Sequence, residues 1–220
     1  MSKTGSILLA IALVAAGGYW GWSAYQKREL RQHVVSLARD ASARLRDGLH
    51  AAEGPADPAA IRAMETDAKA IEGEVETLDR MKASRDRALV YAAEEYAVDA
   101  RQLLRNLAQG HRHRQRLETS ARRLSDHMRY ANRRTPAWHD EALRLKGELE
   151  KDYFNYRISS EALDRELGAY PAARAKLAAE VDPSLLLDDA VVAQARARSS
   201  DAAKRAAAEV ERLRRLTGAR

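Results

Sequence analysis

Along most of this chain apolar residues recur every three or four positions. The clearest run is Ile61, Met64, Ala68, Ile71, Val75 and Leu78. Such a one-sided stripe belongs to an amphipathic helix packed along a narrow seam. Leu30, Val34, Leu37, Ala41 and Leu45 mark a similar face upstream. Beyond Leu78 the seam meets Lys82 and Arg85, recovers at Leu89, Ala92 and Tyr96, and then meets Asp99. It continues through Leu103 and Leu107 to Gly110, a weak point in a helix interior, and resumes at Leu117, Ala121, Leu124, Met128 and Ala131. This predicts one bent helix over 58–134 or two helices meeting near Gly110. Trp138, Ala142, Leu145, Leu149, Tyr153, Tyr156, Leu163 and Leu167 form the next stripe. Leu186, Val191, Val192, Ala195, Ala206, Val210 and Leu213 form the last. No alternating strand pattern and no repeat of fixed length is visible.

Prolines punctuate these stripes. Asp57-Pro58, Thr135-Pro136 and Asp182-Pro183 each place a capping oxygen before a proline at the first helical position. There proline's missing N–H costs nothing, because that N–H would lack an intrahelical partner anyway. Gly168 with Tyr170-Pro171 predicts a helix stop and a short restart. The expected organisation is therefore an anchor over 1–26, a membrane-proximal helix and linker over 27–57, the segment 58–134, an acidic third segment over 135–181, and a C-terminal helix over 182–220. The fold class is all-α: an N-terminal transmembrane helix continuing into an extended helical hairpin or coiled-coil-like bundle.

The anchor is read from residues 4–26, which contain no ionisable Asp, Glu, Lys, Arg or His. As a helix they span about 34 Å, enough for a hydrocarbon layer of ~30 Å. The run from Ile7 to Val14 is its apolar heart. Tyr19, Trp20, Trp22 and Tyr25 follow, with rings suited to the membrane–water interface, and Lys27 and Arg28 stand where headgroups would be. The rival is a cleaved signal, with Lys3 as its basic flank and Val14-Ala15-Ala16 before Gly17 as a cut site. The aromatic belt favours a retained single span. Basic residues after the span argue for a cytoplasmic body, whereas the very short leading tail argues for export. The balance tips to an extracytoplasmic body.

Composition sharpens this picture. Aromatic residues make up only 5% of the chain, with a single Phe, so the core must be a thin seam of Ala, Leu, Val and Tyr. There is no cysteine, which excludes disulfides, thiolate metal sites and cysteine nucleophiles. Charge is segregated. Residues 65–100 carry ten acidic and five basic side chains, 101–134 carry ten arginines against Glu118 and Asp126, and 135–168 carry eight acidic and five basic. The candidate basic surface comprises Arg105, Arg112, Arg114, Arg116, Arg122, Arg123, Arg129, Arg133 and Arg134. Folded back on its acidic neighbour 135–168, this arm would be neutralised along its flanks. Binding of an anionic polymer is the alternative. Nucleic acid is disfavoured, because only Tyr130 offers a stacking ring within 101–134.

Catalytic motifs are missing. There is no phosphate loop, dinucleotide fingerprint, nucleophile elbow or zinc-protease motif. His111 and His113 are two apart on a helix and surrounded by arginines, a poor arrangement for one metal ion. No cofactor and no metal is expected. Trp138, Tyr153 and Tyr156 are the candidate partner or ligand contacts, and Tyr153-Phe154-Asn155-Tyr156 places rings on two faces of its helix. The pattern resembles, in broad style and on no motif, bacterial single-span proteins with a helical coiled-coil body, such as small division or secretion components. Nothing is carried over from them; the location expected is the cytoplasmic membrane of a bacterium, crossed once. The expected function is a non-enzymatic scaffold or interaction module working by helix–helix docking to a protein partner or a second copy. A helical sensor or ligand-binding bundle is the alternative.

Overall fold

The computed structural model describes the backbone of residues 3–81, 86–130 and 135–218, and their side chains except at 3–21, 23, 130 and 218. The described residues form α1 (Lys3–Glu53), α2 (Pro58–Met81), α3 (Arg87–Tyr130), α4 (Pro136–Ala178), a 3-10 turn (Pro183–Leu185) and α5 (Asp189–Gly218). No strand occurs among them, so the protein is all-α.

Proline opens α2 and α4 as the sequence predicts, but the preceding side chain caps only α2; Thr135 makes no capping hydrogen bond to α4. The Asp57 side chain accepts from the Ala59 N–H at 3.0 Å. The third signal behaves differently. Asp182 accepts from the Ser184 N–H at 2.9 Å, but only the 3-10 turn follows. The chain then turns Leu186 and Leu187 into the core, and α5 starts behind a second cap, Asp188, which accepts from the Ala190 N–H at 2.9 Å.

Two predicted breaks are absent. α3 passes through Gly110 without interruption, and the segment 58–134 is divided between Met81 and Arg87 instead. A glycine costs a helix interior about 1 kcal/mol. Here Leu107, Ala108 and His111 are buried on either side of it, and their packing holds the turn. α4 likewise runs through Pro171, with Leu167 and Tyr170 before it and Ala173 and Leu177 after it all buried. Lys82 and Arg85, expected to disturb the seam, lie outside the described residues.

α3 is the spine, about 66 Å long at 1.5 Å per residue. α2 lies antiparallel to it, with Glu72 beside Arg101 and Arg105 and Glu65 beside Arg112. α4 is also antiparallel: Lys176 meets Glu95 at one end, and Trp138 meets His127 at the other. α5 runs back along α4, pairing Arg174 with Asp189, Arg196 with Asp164 and Arg214 with Glu150. α1 runs alongside the first half of α3, at a closeness set by Gly48. A Cβ at Gly48 would lie 2.5 Å from the Leu104 side chain.

The bundle therefore has two parts. In one, the body of α1, all of α2, the first half of α3, the end of α4 and the start of α5 enclose the larger core, including Leu37, Leu45, Met64, Ile71, Leu104 and Leu177. In the other, the second half of α3, the start of α4 and the end of α5 enclose a small core of Leu117, Leu124, Leu145, Leu149, Tyr156, Val210 and Leu213.

A buried hydroxyl chain crosses the larger core. The Tyr170 hydroxyl donates to the Tyr96 hydroxyl at 2.7 Å. Tyr96 in turn stands 2.6 Å from Ser42 Oγ, and Ser42 donates to the Ala38 carbonyl at 2.6 Å. The Leu187 N–H also donates to Tyr96, at 3.4 Å. Tyr96 and Tyr170 are fully buried, and burial raises the Tyr170 hydroxyl far above the ordinary phenol range. α1, α3, α4 and the loop before α5 thus share one satisfied polar network, which resists any other register because each shift would strand a buried hydroxyl.

Candidate functional site

A cavity of about 200 Å3 opens where the α1–α2 hairpin ends, halfway along the spine. Helix direction sorts its lining. Leu107 on α3, Leu163 and Leu167 on α4, and Ala195 on α5 lie toward the large core. Arg114, Tyr156 and Arg205 lie toward the three-helix part. The cavity is thus apolar at one end and cationic at the other. Arg198 stands on its rim, paired with Glu53 at the end of α1.

His111 sits between the two ends and is only 4% exposed. The Pro55 backbone in the α1–α2 turn lies close to its ring and favours a proton on it. Burial, and the Arg114 charge after it, lowers its pKa to about 4, so the ring is neutral near pH 7. Its Nε2 is buried and makes no hydrogen bond. One turn on, Arg114 donates through a terminal nitrogen to the Gly54 carbonyl, while its buried Nε finds no hydrogen-bond acceptor, with Glu118 at 3.5 Å. Tyr156 is buried nearby, and its hydroxyl pKa is raised by burial.

The three aromatic contacts predicted from sequence do not form one site. Trp138 closes the distal α3–α4 turn: its ring stacks on His127 at 5.3 Å, and the His127 ring approaches the Trp138 carbonyl at 3.0 Å. Tyr153 lies under the Arg214 guanidinium, 5.9 Å from its centroid. Tyr156 alone lines the cavity. His111 and His113 occupy different environments, the latter beside Gln109. Among the described residues no group of three His, Asp or Glu side chains could hold a metal ion.

The basic arm is partly neutralised, by a different neighbour from the expected one. Arg105 and Arg112 pair with Glu72 and Glu65 of α2, while the α4 acids Glu150 and Asp164 are taken by α5. Position decides this: α2 lies flank to flank with α3, whereas the acidic face of α4 turns toward α5. Arg116, Arg122 and Arg123 are exposed and make no salt bridge among the described residues. Arg129 has a partner. Arg133 and Arg134 lie outside the described residues.

At the other end, α1 leaves the bundle before Leu30. Every residue from Ala24 to Glu29 is exposed, including Tyr25, Lys27 and Arg28, and Trp22 is 63% exposed beside Tyr25. The side chains of Tyr19 and Trp20, and of the apolar run before them, lie outside the described residues. Among the described residues no helix is long and apolar enough to cross a membrane.

α4 also presents an apolar stripe to solvent. Leu143, Phe154 and Ile158 are 67%, 53% and 45% exposed, and Gly147 lies among them with open space above it. At 3.6 residues per turn all four fall within about 60° of one another. Sequence reasoning singled out Phe154 but missed Leu143 and Ile158, although their spacing to Phe154 was there to be seen.

Comparison of the chain with protein-family models, curated proteins and solved structures gives no match.

Proposed function

We propose that this protein is a non-enzymatic, single-pass membrane-anchored scaffold that docks a helix of a partner protein along α4. The observation carrying this reading is the stripe Leu143–Gly147–Phe154–Ile158. It exposes apolar side chains along about 22 Å of α4, where the Arg157 guanidinium of that same helix stands over the Phe154 ring. Helix-in-groove docking needs such a row of anchors three, four and seven residues apart or multiples of them. Gly147 supports it, since an exposed mid-helix glycine destabilises this chain yet lets a second backbone come close.

The anchor reading rests on the uncharged stretch 4–26 and its aromatic and basic flank. It gains support from α1 being one continuous helix from Lys3 to Glu53 that joins the bundle only at Leu30. The span would thus be coupled to the body without a flexible linker. The cytoplasmic membrane of a bacterium, with the body outside the cytoplasm, is the location proposed with it.

The test places a photo-crosslinking residue at Leu143, Ile158 or, as a control, the exposed Gln194 of α5, in the full chain in cells. Adducts to one discrete polypeptide from Leu143 and Ile158, none from Gln194, and loss of both in Phe154→Glu are expected. Equal labelling at all three positions would sink the docking face. Adducts between two copies would make the partner a second copy of this chain. Extraction of the full chain by alkaline carbonate, or a mature N-terminus at Gly17, would overturn the anchor.

A further inference from the structure

We propose that the apolar stripe of α4 takes a second copy of this chain, the two α4 helices pairing antiparallel about a twofold axis between Glu150 and Lys151. This rests on the reading of α4 as a docking face and names the partner that it takes.

The stripe reads the same in both directions. Leu143, Gly147, Phe154 and Ile158 follow one another at intervals of four, seven and four residues, so the inner and the outer pair are both centred between Glu150 and Lys151. Turned end for end about that point, a second copy brings its Phe154 level with Gly147 and its Ile158 level with Leu143. The twofold supplies the reverse contacts. Shape matches as well as spacing. A Cβ at Gly147 would meet nothing within 4 Å, so the glycine leaves a shallow hole. The ring that arrives there, Phe154, is 53% exposed in the single chain and is the largest side chain of the stripe. Small residues let helix backbones approach closely, and large side chains seat opposite small ones when helices interdigitate. An unrelated partner helix would impose no end-for-end symmetry on the spacing.

Charge follows the same symmetry, because this twofold sets each flank of one α4 against the same flank of the other. On one flank the two Glu150 carboxylates approach the axis, each with its own Arg214 at 3.5 Å, so two acids and two bases meet there. On the other flank the exposed Lys151 stands about 3 Å, measured along the helix, from the level of Glu148 of the second copy. Arg157, 5.7 Å from the Phe154 ring centroid and paired with Glu161 of its own helix, shields that ring in the single chain and is itself exposed, so it moves aside as the ring enters. Three apolar side chains and a glycine are few beside the about 20–30 residues a side of a standard interface, so the pair is weak and concentration-dependent. α1 runs the same way as α3, since Ser42 meets Tyr96 and Gly48 meets Leu104, while α4 runs the opposite way. The pairing therefore points the two α1 starts away from each other. It joins bodies that arrive from opposite directions, not neighbours standing side by side in one membrane.

The experiment is sedimentation velocity of the full chain in non-ionic detergent, with single-cysteine variants to read direction, since the chain has no cysteine of its own. Monomer at about 1 μM and dimer at about 100 μM are expected. Gly147→Arg fills the hole with a long, helix-favouring side chain. It should weaken dimerisation about tenfold or more while the melting temperature holds or rises, so loss of fold cannot mimic the effect. On oxidation at the higher concentration, Lys151→Cys should crosslink to itself, and Leu143→Cys should crosslink to Ile158→Cys but not to itself. A monomer at about 100 μM, unchanged dimerisation of Gly147→Arg, or self-crosslinking of Leu143→Cys, the mark of a parallel pair, would each overturn the proposal. If the chain stays monomeric while Leu143 and Ile158 photo-crosslink a different polypeptide in cells, the second copy falls and the docking face stands. Equal labelling from Gln194 removes the docking face itself.

Discussion

The two parts of the bundle solve the same problem with different means. Where the α1–α2 hairpin is present, buried aliphatic side chains from all five helices meet, and a hydroxyl network specifies their register. Beyond that hairpin, three helices share a core of seven residues, closed at the tip by Trp138 on His127. The difference teaches that thickness comes from helix number. A chain this poor in large aromatics deepens its core only by adding helices, and where α1 and α2 stop, a half-filled step remains. The cavity lies at that step.

Truncating core leucines should give the largest effects and expose the contrast. Leu104→Ala, fully buried between α1 and α3, should destabilise by about 4 kcal/mol, and Leu213→Ala, in the thin part, by about 2 kcal/mol. Chemical denaturation followed by circular dichroism measures both; equal losses would mean that the thin part is as tightly packed as the thick one. Next comes the network. Tyr96→Phe strands three groups and should cost about 2–3 kcal/mol, whereas Tyr170→Phe removes only one donor from Tyr96 and should cost about 1 kcal/mol.

A pH effect should follow from the step between the parts. The folded pKa of His111 is about 4, below its unfolded value near 6.5, so the folded state resists a proton that the unfolded chain accepts. Stability is complete above pH 6.5 and falls as the pH drops from 6.5 toward 4. Asp99 has the opposite sign. Burial, then Glu166 and Glu95, raise its pKa, so its contribution is greatest at low pH and is lost as pH rises through its folded value. Melting temperatures of wild type and His111→Phe between pH 7 and 5 separate the two; parallel curves would exclude His111 as the source. The smallest effect should be electrostatic. Glu72→Gln, which loses Arg101 and Arg105 at once, should cost about 0.5–1 kcal/mol, less in high salt, and Arg122→Gln under 0.5 kcal/mol.

Much of this architecture was legible as pattern. All six apolar residues of the α2 stripe are buried, as are Leu30, Val34, Leu37, Ala41 and Leu45 of α1. Pro58 and Pro136 open helices because proline's fixed φ and missing N–H act within a single turn, with a side-chain cap added only by Asp57. Gly110 and Pro171 misled for the complementary reason. A local cost of ~1–3 kcal/mol predicts a break only when nothing distant outweighs it, and buried neighbours on both sides of each residue do. The cavity left a faint trace: His111 follows Leu107 by four residues and so occupies a seam position, where a polar ring needs a partner. The tyrosines at 96 and 170 carried the same hint.

What the chain by itself determined is therefore its helical character, its buried faces, the starts of α2 and α4 and the segregation of its charges. These depend on spacing and on neighbours within a turn or two. Only the tertiary structure decided that α2, not α4, neutralises Arg105 and Arg112, that Trp138 and Tyr156 serve separate places, and that His111 is buried beside a cavity with its Nε2 unbonded. Each depends on which helices lie side by side and where the hairpin ends. Those outcomes follow from the sum of many weak contacts between residues tens of positions apart, and no short stretch of sequence carries that sum.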